Sequence, residues 1–151
     1  MPDLITHLSI VYFSNRWLRI VKYSTLLYIG TIIPDILTTA PAIIFPKTEF
    51  ALYPFHTPLG LFILCLLLSF FFEEKWRKEV FISLIVGCYV HFTIDLLQKH
   101  MQPAYTFLFP FSWRSFEIGI LWPETIITFV PVWLAVICVI EILSRLKTRH
   151  G

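Results

Sequence analysis

Long apolar runs separated by short charged stretches dominate the pattern of hydrophobic and polar positions along the chain. Five such runs can be distinguished, and each predicts a helix. Because a bilayer core requires about 20 residues of helix, the fourth and fifth runs are long enough to span it. The first run is short and is expected to be half-inserted. The predicted helices cover residues 4–15, 20–44, 58–72, 79–97 and 117–143.

Prolines divide or begin two of these runs. Pro34 and Pro41 interrupt the second run, which is therefore expected to kink or end near Pro34. The third run begins with Pro58, and proline is favoured in the first turn of a helix. The pattern favours an all-α fold with about five helices.

The composition indicates that these predicted helices belong to a membrane protein. The chain is 57% hydrophobic and 15% charged, whereas a soluble domain is about half apolar and a quarter charged. We therefore predict one integral membrane helical bundle over residues 1–151. A net charge of +2 without a basic, aromatic-rich stretch argues against a nucleic-acid partner. Cys65, Cys88 and Cys138 lie in apolar runs and are expected to be free thiols.

Lysines and arginines alternate between the two sides of the predicted bundle. Nine of the twelve lie in the first and third connections or after the fifth run: Arg16, Arg19, Lys22, Lys75, Arg77, Lys78, Arg145, Lys147 and Arg149. The other three are Lys47, Lys99 and Arg114. The positive-inside rule then places the N-terminus outside and the C-terminus in the cytoplasm.

Five ionisable residues inside or beside the apolar runs fall at the outer side of this topology. They are His7, Asp35, His56, His91 and Asp95. Singly, a histidine on an apolar helix is explained by hydrogen bonding in a core, His56 by a position in an interfacial loop, and Pro34-Asp35 by a turn or a helix cap. His91 and Asp95 are stronger candidates because residues four apart are neighbours on a helix and can bind one ion. Ionisable groups in membrane segments are by default functional, so the set predicts a metal site.

Three imidazoles and two carboxylates suit zinc, with Mn²⁺ or Fe²⁺ as alternatives. Four protein ligands would close one structural site. Five or more, with a bridging carboxylate, would suit two ions and a hydrolytic water. The number of ions, one or two, is therefore left open.

Five motifs occur in a recognisable order: "ITHLSI", "GTIIPDIL", "FHTPLG", "GCYVHFTIDLL" and "FLFPFSWRSF". This order resembles the small membrane-bound metal-dependent hydrolases of bacteria and archaea, some of them described as SOS-regulated. That family looks like a membrane-embedded relative of the zinc-dependent phospholipase C and single-strand nuclease superfamily. The resemblance covers about residues 4–116.

The resemblance implies that Asp35, His56, His91 and Asp95 surround one zinc ion in a phospholipase-C-like site. It also implies that Asp95 bridges to a second metal held by His7. Two positions depart from the family pattern. Leu37 stands where a second aspartate often follows the Pro-Asp element, and "ALYPFHT" keeps one histidine where the family often has two.

Residues near the outer ends of the last two runs could complete the site. Glu117 begins the predicted fifth helix and is the preferred further ligand, ahead of His100. Arg114 could bind a phosphate through two parallel hydrogen bonds and is assigned a catalytic role with His91 and Asp95; its alternative role is that of a snorkelling interfacial residue. Tyr105, Trp113 and Trp122 are expected to anchor the chain at the interface.

Three functions compete. The first is a zinc-dependent hydrolase at the outer leaflet, cleaving a phosphoester of a lipid or lipid-linked compound with water activated by the metal. The second is a non-catalytic membrane protein with a structural or degenerate metal site. The third, a metal carrier or channel, is disfavoured because no ionisable residues continue the path to the cytoplasmic side.

Overall fold

Helices make up nearly all the regular structure in a computed structural model of the chain, which describes residues 4–18, 21–99 and 106–149. The helices are α1 (Leu4–Leu18), α2 (Ser24–Leu37), α3 (Thr39–Ile44), α4 (Glu49–Leu52), α5 (Pro58–Ser69), α6 (Glu74–Leu97) and α7 (Pro123–Arg149). Short 3₁₀ turns cover Pro46–Thr48 and Tyr53–His56. Within the described ranges there is no β-strand, and Gln98 and Leu121 form an isolated bridge. The predicted all-helical class is confirmed.

Three helical stretches are long and apolar enough to cross a membrane. They are Ser24–Ile44, which joins α2 and α3, Glu74–Leu97 and Ile127–Lys147. The 24 residues of α6 extend about 36 Å at 1.5 Å per residue, more than a hydrocarbon core of about 30 Å. The shorter α5 is also apolar. These lengths and compositions are consistent with a membrane protein.

Two glycines allow α2 and α6 to pack closely at the centre of the bundle. A Cβ atom on Gly87 would lie 2.2 Å from the Leu27 carbonyl oxygen. A Cβ atom on Gly30 would lie 2.3 Å from the Leu84 carbonyl oxygen. Small residues at such crossings let helix backbones approach in membranes. The crossing brings the C-terminal ends of α2 and α6, with Asp35 and Asp95, side by side.

The helix α5 packs against the same buried face of α6 through an apolar core. Leu61 and Cys65 of α5 contact a buried group on α6 that includes Leu84, Cys88 and Phe92. The Sγ atoms of Cys65 and Cys88 lie 3.4 Å apart as free thiols. Cys138 is free as well and exposed on α7. The sequence-based expectation of three free cysteines is confirmed.

The last helix is held against α1 by a polar contact that the sequence analysis did not anticipate. The Tyr12 hydroxyl and the Arg16 guanidinium both donate to Oε1 of Glu141, the latter over 3.0 Å. No residue of the described stretch Ile127–Lys147 is buried, and by length and composition this stretch could cross a membrane. Glu141 is a carboxylate that ties this helix to α1.

Several predicted helix boundaries are corrected. The predicted fifth helix began at residue 117, but α7 begins at Pro123. The reason is that residues 118–121 pair with the end of α6, through Ile118 N–H to Leu96 O (2.8 Å) and Leu121 N–H to Leu97 O (2.9 Å). Gly119 also has φ of 62°, which an α-helix does not allow.

The other boundaries move less. The helix α6 begins at Glu74 instead of 79 because the charged stretch before residue 79 consists largely of good helix formers. The predicted second helix divides into α2 and α3 at Thr38, whose amide and hydroxyl both donate to Pro34 O (3.1 and 2.7 Å). The predicted break near Pro34 therefore occurs four residues later. The first helix extends to Leu18, and the third ends at Ser69.

Candidate metal centre

Two ionisable residues of α6 lie on the same face of the helix as its buried apolar residues. Leu84, Cys88, His91 and Asp95 follow one another at intervals of three or four residues, and each is at most 2% exposed. Residues at this spacing share one face of a helix. The same face that packs against α2 and α5 therefore carries His91 and Asp95 into the interior.

The start of α5 determines where His56 lies. The Thr57 hydroxyl accepts a hydrogen bond from Gly60 N–H (3.1 Å), and Pro58 occupies the first turn. His56 precedes this cap as the last residue of a 3₁₀ turn and is 3% exposed. A well-capped helix start thus directs His56 towards the end of α6.

One carboxylate lies at the centre of the cluster. Oδ2 of Asp95 lies 2.9 Å from His56 Nε2 and 3.1 Å from His91 Nε2. Its other oxygen, Oδ1, lies 3.1 Å from His7 Nε2. A single buried carboxylate thus faces three imidazoles, two through one oxygen and one through the other.

The fourth member comes from α2. Oδ1 of Asp35 lies 3.3 Å from His91 Nε2. Asp35, His56, His91 and Asp95 each offer a ligand atom, and these atoms all lie within 4.8 Å of one another. The structure therefore brings together the four residues that the sequence predicted to meet, from α2, α6 and the turn before α5.

Two atoms of this group are close to each other without forming a hydrogen bond. His91 Nε2 and Asp35 Oδ1 are buried, and neither has hydrogen-bond geometry to any described residue despite their short separation. Ligands around a tetrahedral zinc ion, with bonds of about 2.0–2.2 Å, are about 3.3–3.6 Å apart. Two imidazoles and two carboxylates are also a donor set that zinc binds. The residues present therefore fit a dication.

Thr38 contacts the second ring nitrogen of His56. The Thr38 hydroxyl donates to Pro34 O, so its oxygen is left to accept from His56 Nδ1–H at 3.1 Å. In the neutral ring, Nε2 then carries a lone pair and faces Asp95 Oδ2, another acceptor. Such a contact is repulsive unless the ring is charged or a cation lies between the two atoms. Metal-binding histidines commonly donate their second N–H in this way.

His7 lies on the other side of Asp95, outside the group of four. Its ring centroid is 4.4 Å from that of His91, and it is 1% exposed. The helix α1 thus contributes a third imidazole to the cluster, in contact with the oxygen that the other two do not face. Its predicted role as ligand of a second metal remains a prediction.

The other sequence-based candidates come from the stretch before α7 or lie outside the described residues. Glu117 is half-buried in the non-helical stretch before α7 and does not belong to the group of four. Arg114 is exposed in the same stretch, and its backbone amide donates to the Ser112 hydroxyl (3.2 Å). His100 and Tyr105 are outside the described residues, as is the basic Arg19.

The sequence analysis missed Thr38 and Gln98. Thr38 is 18 positions from the histidine it contacts, and the sequence signal for it is weak: a hydroxyl at a helix end. Gln98 extends the buried face of α6 by one turn and is 0% exposed. The sequence signal for Gln98 was its position three residues after Asp95.

No protein-family model, curated protein or solved structure matches the chain.

Proposed function

We propose that the chain is an integral membrane metal-dependent hydrolase in which Asp35, His56, His91 and Asp95 hold the ion. Zinc fits this donor set best, with Mn²⁺ or Fe²⁺ as alternatives. The observation that carries the proposal is the Asp95 carboxylate, 2% exposed and within 3.1 Å of three imidazoles, on a helix apolar enough to span a membrane.

The cost of burying these groups supports a functional site. An uncompensated charge in a low-dielectric interior costs several kcal/mol, so such residues are found with partners or ions. Hydrophobic residues of similar size would stabilise the same helix contacts at least as well. The cluster contains two carboxylates and three imidazoles, and this concentration is typical of a metal centre.

A dication in this site would act as a Lewis acid, polarising a phosphoryl group and acidifying water. Asp35 determines where a substrate enters, because its side chain is 12% exposed whereas those of His91 and Asp95 are 0% and 3% exposed. The rings of Phe92 and Phe107, with centroids 5.9 Å apart, form an apolar wall beside His56 and exclude water from that side.

The substrate class follows from the depth of the site. A centre between the ends of apolar helices would lie beside lipid, and the resemblance to membrane-bound hydrolases favours a phosphoester of a lipid or lipid-linked compound. The positive-inside rule favours the outer leaflet, with the N-terminus outside and the C-terminus cytoplasmic. In this proposal Arg114 would bind the phosphate, and His7 and Asp95 would hold a second ion.

Substitution of Asp95 tests the enzyme. Asp95→Asn keeps the shape but removes the charge, so metal content and phospholipid turnover should fall about 100-fold or more. Even residues that only orient metal ligands contribute 10- to 100-fold. The matched control is Glu79→Gln on the same helix, about 24 Å from Asp95 along the axis. It should retain both properties. Elemental analysis and a zinc-supplemented phospholipase assay in detergent measure them.

A structural metal is the alternative. It is favoured by the origin of the ligands, since an ion there would join α2, α6 and the start of α5. Metal binding would then be coupled to folding. In that case a chelator should lower the melting temperature strongly, while no phospholipid is hydrolysed by the wild type. Full turnover in Asp95→Asn would rule out the proposed role of Asp95.

A further inference from the structure

The buried face of α6 continues one turn beyond the metal cluster with a glutamine. Gln98 follows His91 and Asp95 at spacings of seven and three and, like His91, is 0% exposed. Its backbone is held on two sides: its amide donates to Asp95 O (3.0 Å), and it forms the bridge to Leu121. At 1.5 Å per residue its side chain begins about 4.5 Å beyond Asp95 along the helix axis.

Among the described residues, none is hydrogen-bonded to the carboxamide of Gln98. Neither Oε1 nor Nε2 has a hydrogen-bond partner among the residues that the structure describes. Buried amides are nearly always paired, because an unpaired donor or acceptor retains its full desolvation cost. Leucine would fill the same space without that cost. Because leucine could replace this buried amide without the desolvation cost, the amide is expected to bind a ligand.

The position of Gln98 indicates the kind of ligand. The next residue, Lys99, is exposed, and its Nζ lies 4.1 Å from the centroid of the Trp122 ring. Lysine and tryptophan at the end of an apolar helix mark the boundary between hydrocarbon and headgroups. Gln98 therefore lies at the depth of lipid headgroups, between that boundary and the metal cluster.

We propose that Gln98 is the residue that recognises the headgroup of the lipid substrate. Its NH₂ group donates to a phosphoryl oxygen, and its carbonyl accepts from a hydroxyl or ammonium on the headgroup. The preferred substrates are therefore phosphodiester lipids whose headgroup carries a hydrogen-bond donor, as in a glycerol or ethanolamine headgroup. This role rests on the proposed function and adds a substrate class to it.

The test compares two lipids with the same acyl chains, phosphatidylglycerol and phosphatidylmethanol, whose headgroups differ in having or lacking a donor. Wild-type zinc-loaded protein in mixed micelles should have a kcat/KM about three- to tenfold higher for phosphatidylglycerol, the value of one hydrogen bond. Gln98→Leu should lose this preference and keep its zinc content. Thr93→Val is the matched control, because Thr93 is exposed on the opposite face of α6 and donates to Tyr89 O.

Thermal stability gives a second readout that needs no turnover. Without lipid, Gln98→Leu should melt at the wild-type temperature or above it, because an unpaired amide is removed. A clearly lower melting temperature would mean that the amide is satisfied within the protein, and would overturn the proposal. The shift in melting temperature caused by each lipid reports binding directly. Phosphatidylglycerol should stabilise the wild type more than phosphatidylmethanol, and Gln98→Leu equally with both.

The outcomes separate the two proposals. Turnover with an unchanged headgroup preference in Gln98→Leu contradicts the role of Gln98 and leaves the hydrolase intact. A preference in melting shift that disappears in Gln98→Leu, without turnover in the wild type, supports Gln98 and contradicts the hydrolase. If the wild type distinguishes the two lipids in neither assay, the headgroup role of Gln98 is wrong.

Discussion

The two ends of α6 carry the same kinds of ionisable residue in opposite environments. At the N-terminal end, Lys75 and Glu73 form an ion pair of 2.8 Å, with side chains 65% and 71% exposed. At the C-terminal end, His91 and Asp95 are 3.1 Å apart, with side chains 0% and 3% exposed. The distances are similar, and burial is what distinguishes the pairs.

The difference shows what a charge requires in this protein. The charges at the exposed end face water and the ring of Trp76 of α6, whose centroid lies 5.4 Å from Lys75 Nζ and 4.9 Å from Lys22 Nζ. The buried end instead needs partners from α1, α2 and the turn before α5, all at one depth. Exposed pairs contribute about 0–1 kcal/mol, whereas breaking a buried one costs about 3–5 kcal/mol.

The largest effect on stability is expected between the two ends of α6, where this helix crosses α2. Gly87→Ala would place a methyl group 2.2 Å from the Leu27 carbonyl oxygen, a backbone atom that cannot move alone. We expect a loss of about 3 kcal/mol in unfolding free energy, at the upper end of the range for overpacking. Thermal unfolding in detergent measures it. Ala135→Val on the exposed face of α7 is the control and should change little. A Gly87→Ala protein as stable as the wild type would contradict the close crossing.

A smaller effect is expected at the buried end from Thr38→Val. The substitution keeps the volume but removes the oxygen that accepts from His56 Nδ1–H at 3.1 Å. Metal affinity should fall about 10- to 100-fold, as for other residues that orient metal-binding histidines. Competition with a zinc chelator measures the affinity. Thr93→Val, an exposed threonine on α6, should leave it unchanged. Equal affinities in both variants would mean that Thr38 does not orient a ligand.

The smallest effect is expected at the exposed end. Lys75→Cys, in a Cys138→Ser background, should change unfolding free energy by less than about 1 kcal/mol because its ion pair is solvated. The same variant reports sidedness, since the positive-inside rule predicts labelling from the cytoplasm at position 75 and from outside at position 99 in Lys99→Cys. Labelling of position 75 from outside would show that the topology is inverted and that the metal centre lies in the other leaflet.

Periodicity was a sufficient guide to the helices but not to all of their ends. The all-helical class and the order of the five longer helices follow from apolar runs, because a long apolar segment satisfies its backbone hydrogen bonds within itself by forming a helix. The start of α7 was wrong because residues 118–121 are apolar yet pair with the end of α6. Hydrophobicity alone does not distinguish a buried helix from an extended segment of similar composition.

The sequence by itself determined which residues meet in the candidate centre. Asp35, His56, His91 and Asp95 are ionisable groups at one predicted depth, and their burial cost leaves few arrangements other than contact with one another. Only the tertiary structure decided that each oxygen of Asp95 faces different histidines, that Thr38 holds His56, and that Glu141 meets Tyr12 and Arg16. These contacts depend on the rotation of each helix about its axis and on the close crossing at Gly30 and Gly87. Both are set by side-chain packing between segments distant in the chain.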